Sequence, residues 1–67
     1  MSCYQQTIAQ IAPAADARHV EAWMRLEHGC LDGLSREMFE REVHISVDCI
    51  SQAGATESER LARSFGL

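Results

Sequence analysis

The stretch SREMFEREVHISVDCISQAG, residues 35–54, carries the longest unbroken periodic pattern in the chain. Met38, Phe39, Val43, Ser46, Val47, Ile50 and Ala53 recur at spacings of three and four, while Glu37, Glu40, Arg41, His44, Asp48 and Ser51 fill the other sides. This period marks an amphipathic α-helix with one face turned to a core. Ser35 offers a side-chain oxygen to the free amides of the first turn, and Gly54 offers the stop. The pattern predicts a helix over residues 36–53 and makes it the central helix of the fold. Ile45 and Cys49 lie off the main stripe, so apolar residues occupy more than one of its faces.

Three shorter segments surround it. On the C-terminal side, Thr56 and Glu59 have the S/T-x-x-E spacing of a capping box, which predicts a helix over 57–65 carrying Leu61, Ala62 and Phe65 inward. Gly66 and Leu67 would close it. On the N-terminal side, residues 30–34 are too short for a helix, but Leu31 and Leu34 flank Gly33 and should plug the core as a turn. Before that turn, Asp16 caps a helix over 17–28 whose core side is Val20, Trp23 and Met24, with Gly29 as its end. Tyr4, Ile8 and Ile11 form a single stripe over 3–12, stopped where Pro13 disfavours helix at Ala12. The expected fold is all-α, a single domain over residues 1–67: a small orthogonal bundle of three longer helices and one short N-terminal helix.

Composition narrows the function. Sixty-seven residues, 46% hydrophobic and 24% charged, suit one small folded domain, so a single domain and not a multidomain enzyme is expected. A chain of this mass retains roughly 4,200 Å² of surface when folded and buries about 60% of what it exposes unfolded, a thin margin that self-association would improve. The formal charge of −4 disfavours phosphate binding over the whole surface. All six basic residues are arginine, and lysine and asparagine are absent, which suits GC-rich coding and a bacterial or phage source. Cys3, Cys30 and Cys49 form an odd set with no CxxC pair, so a reduced, cytoplasmic setting is expected. The first twelve residues hold no basic n-region, and no run of ~18 apolar residues occurs, so neither a signal peptide nor a membrane span is expected.

Few residues are spaced for chemistry. Glu40, His44 and Asp48 are stacked four apart on the long helix, a spacing that can share a metal ion or tune an imidazole. A carboxylate-bridged bundle site needs a Glu-x-x-His pair and further inward glutamates, so the ridge reads as a solvated face. His28, Cys30 and Asp32 would hold zinc only if Cys3, Cys49 or His19 joined them, and separated ligand pairs are missing. No nucleophile elbow, phosphate loop or dinucleotide fingerprint occurs. No catalytic residue, metal or cofactor is expected.

Two functional classes remain. The first is a non-enzymatic, acidic protein–protein interaction module, a homodimer or the partner of a larger protein, such as a phage- or mobile-element-encoded regulator or inhibitor of a bacterial protein. Its candidate contacts are Tyr4, Trp23 and Leu67 as apolar anchors with Glu37, Glu40 and His44 on the long helix, and its acidic surface is Glu37, Glu40, Asp48, Glu57 and Glu59. The alternative is a small dimeric helix-turn-helix-like DNA-binding regulator, with Arg60 and Arg63 on the reading helix. Glu57 and Glu59 in that helix's first turn would face phosphates, which disfavours nucleic acid.

Overall fold

The computed structural model describes residues 3–67. Local signals set several of the helix ends. α1 (Cys3–Ile11) stops just before Pro13. α2 (Ala17–His28) is capped by the Asp16 carboxylate, which accepts from the Arg18 amide at 3.0 Å. α3 (Arg36–Ala53) is capped by Ser35 Oγ, which accepts from the Met38 amide at 3.2 Å. α4 (Ala55–Ser64) closes in a Schellman turn, with Gly66 at φ 75°, the Leu67 amide donating to Ala62 O and the Gly66 amide to Arg63 O. The described residues contain these four helices and no strand. They form one globule with a radius of gyration of 10.6 Å, close to the ~11 Å of a compact chain this long. Its accessible surface of 4172 Å² agrees with the area expected from mass.

The core is made by Ile8 of α1, Val20 and Met24 of α2, Leu31 of the connecting turn, and Phe39 and Val43 of α3. Leu34 packs against it, so the 30–34 turn plugs the core as its two leucines predict. Tyr4 of α1 stacks on Phe39, ring centroids 6.2 Å apart.

Three sequence expectations change, and one is refined. Two helices share the centre: α2 and α3 each pack on all three other helices, α2 the more extensively, whereas α1 and α4 do not meet. Accordingly α2 buries residues right round its circumference, including the polar His19 and Glu21. Met38 and Ala53 were expected on the buried face of α3 and are exposed, Met38 because it flanks the stripe centred on Phe39, Val43 and Ser46, and Ala53 because it is the last residue of the helix. Phe65, expected inside, lies beyond the last turn of α4 and is exposed. Finally, the Thr56 and Glu59 capping box does not form. α4 begins two residues earlier with Gly54 as its N-cap and no side-chain cap bond, and Glu59 turns to α2 instead. Gly54 joins α3 to α4 alone, at φ 94° and ψ 160°, a region essentially restricted to glycine.

No helix among the described residues is long and apolar enough to cross a membrane.

Candidate functional site

The most organised polar cluster lies where α4 crosses α2. Starting α4 at Ala55 places Ser58, Glu59 and Ala62 toward α2, with Ser58 and Ala62 buried. Glu59 accepts from Arg18 Nη2 at 2.6 Å and from His19 Nε2 at 3.0 Å, and Arg63 Nε stands 3.4 Å away. A carboxylate only accepts, so Nε2 of His19 carries the proton in that bond. Asp16 places a second carboxylate oxygen 3.6 Å from the same nitrogen. The hydrogen bond from His19, then the Arg18 and Arg63 charges, hold the Glu59 carboxyl below its ordinary pKa against the opposing effect of desolvation. Beside it, Trp23 Nε1 donates to Ser58 Oγ at 3.4 Å, and Ser58 Oγ donates to Gly54 O at 3.1 Å. The cluster is a clamp: its donors and acceptors are spent on each other across the seam.

A second cluster joins α1 to α2. Glu21 is fully buried, yet both its carboxylate oxygens are met. Arg25 reaches Oε2 through Nε and Nη2, each at 2.8 Å, and Gln5 donates to Oε1 at 3.0 Å. Sequence reading overlooked Glu21, whose signal is its place one residue from Val20 and four from Arg25.

The structure separates the residues the sequence grouped for metal binding. His28 turns to α3, its Nε2 3.0 Å from Glu42 Oε1 but off the line of a hydrogen bond. Cys30 and Cys3 are exposed, Cys49 is half-buried, and all three are free thiols. Among the described residues no group of three or more His, Cys, Asp and Glu side chains is placed to hold a metal ion. On the ridge of α3, Glu40 pairs with Arg36 at 3.1 Å, and His44 and Asp48 are exposed, the arrangement of a solvated face.

The candidate contact residues fall into two sets. Tyr4, Trp23 and Leu67 are half-buried and tied down, Tyr4 through its stack on Phe39 and its hydroxyl bond to Asp32, Trp23 through Ser58, and Leu67 through its amide. Glu37, Glu40 and His44 are exposed on α3. Arg60 and Arg63 project from α4 but each stands near a carboxylate of its own helix, Glu57 at 3.7 Å and Glu59 at 3.4 Å.

What remains open is apolar. Leu26 of α2, Met38 and Ile45 of α3 and Phe65 after α4 are exposed, Ile45 by 46% and Leu26 by 56%. Met38 and Ile45 lie seven residues apart on one side of α3, with Arg41 and Asp48, also seven apart, forming the adjacent ridge. Arg41 is the one arginine among the described residues with no carboxylate partner, and Asp48 has no basic partner.

Compared with protein-family models, curated proteins and solved structures, the chain matches none.

Proposed function

We propose that this protein is a non-enzymatic helical module that works by protein contact. The observation that carries the reading is the set of large apolar side chains left in solvent on a chain too small to waste them: Leu26, Met38, Ile45 and Phe65. The exposed acidic residues Glu37 and Glu40 add a charge preference to the α3 side. The polar clusters between helices favour the same reading, because His19, Glu21 and Glu59 are engaged in holding helices together. Arg60 and Arg63, each near a carboxylate of α4, count against DNA as the partner. A reduced cytoplasmic setting and a regulator or inhibitor of a larger bacterial protein suit the free thiols, size and composition.

The test places a photo-crosslinking side chain at Ile45 or Phe65 in cells expressing the protein, followed by reconstitution of the captured complex from purified components. A saturable complex, homomeric or heteromeric, is expected. A chain that crosslinks to nothing and stays monomeric at every concentration overturns the reading.

A further inference from the structure

The open face of α3 carries two ridges, Met38, Ile45 and Gln52 along one and Arg41 and Asp48 along the other, all exposed. In a two-fold dimer of antiparallel helices, residues on one flank of the first copy meet the same flank of the second, and positions before the axis meet positions after it. With the axis at Ile45, Arg41 lies four residues before it and Asp48 three after. At 1.5 Å per residue these offsets are about 6 Å and about 4.5 Å, a mismatch of about 1.5 Å that an arginine side chain spans. The reversal therefore sets Arg41 against the second copy's Asp48 twice over, places Ile45 on Ile45, and lays Met38 beside Gln52.

Charge complementarity selects this occupant. Of the six arginines, the five others each have an intrachain carboxylate within 4.0 Å. Arg41 has none, although Glu37 precedes it by four residues on the same helix, and Asp48 is likewise unengaged. Arg41 is the one arginine without a carboxylate, and Asp48 is an unpaired carboxylate on the same ridge at nearly the same distance beyond the exposed Ile45, which together are the elements of an isologous contact.

We propose that the protein forms a two-fold homodimer through antiparallel packing of α3 about Ile45, with reciprocal Arg41–Asp48 ion pairs between copies. This rests on the protein-contact reading and names its partner as a second copy. One helix pair gives an interface at the small end of the stable range, about 1,000 Å² in total, so the dimer dissociates on dilution.

The experiment measures solution mass over a concentration series for the native chain, R41D, D48R and the R41D/D48R double variant. The native mass rises to twice 7.5 kDa. Each single swap puts like charges opposite one another and weakens the dimer by about tenfold or more, and the double swap restores it, because every new aspartate then faces a new arginine. These residues are exposed, so the fold tolerates the changes. As a second measurement, I45C in a background with Cys3, Cys30 and Cys49 replaced by serine forms a disulfide across the axis on mild oxidation. A chain that is monomeric throughout, or a dimer indifferent to the single swaps, overturns the inference. A monomer that still forms a reconstituted complex with a foreign protein overturns the dimer while leaving the contact-module reading standing.

Discussion

Nε2 of His19 and the carboxylate of Glu59, forty residues apart in the chain, meet at 3.0 Å and fasten α4 to α2. The bond draws the Glu59 pKa below its ordinary value. A carboxyl whose folded pKa is depressed contributes stability that is fully present above the unfolded value, roughly 4.3, and is lost as pH falls through the folded value. Acid should therefore loosen the α2–α4 seam below that point. Trp23, the only tryptophan and bonded to Ser58 in the same seam, reports it by fluorescence. We expect Glu59→Gln to flatten the acid limb of the stability profile, whereas an unchanged limb would place the acid sensitivity elsewhere.

The Glu21 and Arg25 pair predicts an asymmetry between single and double substitutions. Arg25→Met strands a fully buried carboxylate and should cost about 3 kcal/mol or more. That is a large part of the roughly 3–10 kcal/mol available to a domain of this length. Replacing both residues with methionine removes the stranded charge and should recover much of the loss. Urea unfolding of the three proteins measures it, and equal losses for the single and double variants would contradict the account.

Two neighbours on α2 differ by position alone. Met24 is fully buried in the core and Leu26 is more than half exposed. Met24→Ala should cost about 2–5 kcal/mol, while Leu26→Ala should stay within about 0.5 kcal/mol. If Leu26→Ala nevertheless reduces complex formation, that residue belongs to a binding surface.

Much of the fold was legible because it is local. Pro13 before α2, the Asp16 and Ser35 caps, Gly29 and the three-and-four spacing within residues 36–53 act within a few residues of themselves, and α2 and α3 have the boundaries they predict. The failures are long-range. Thr56 and Glu59 have capping-box spacing, but Arg18 and His19 offer Glu59 two donors that a single backbone amide does not match. Likewise α2 reads as one-sided because His19 and Glu21 are polar, and their burial becomes tolerable through Glu59 of α4 for the one and Gln5 of α1 together with Arg25 of α2 itself for the other. Of the candidate site, the exposed acidic residues of α3 were legible. The exposure of Met38 and Phe65 was not, since spacing identifies a stripe but not how far a neighbouring helix extends over its edges.

Gly54 predicts a further loss. A Cβ there would meet no atom within 4 Å, so the cost of Gly54→Ala is torsional rather than steric, about 1–3 kcal/mol by denaturant unfolding. A loss near zero would show that the joint relaxes.

That joint has a topological consequence. The Gly54 amide already donates to Ile50 O and its carbonyl accepts from the Ser58 amide, so helical hydrogen bonds continue on both sides of the break. Two torsion angles of one residue are all that separate α3 and α4 from a single rod over 36–64, roughly 43 Å long. An alanine at position 54 favours the rod, which carries Ser58, Glu59 and Ala62 away from their own Trp23 and His19. The only matching seat then belongs to another molecule, so the substitution that weakens the monomer also opens a route to arm exchange between chains.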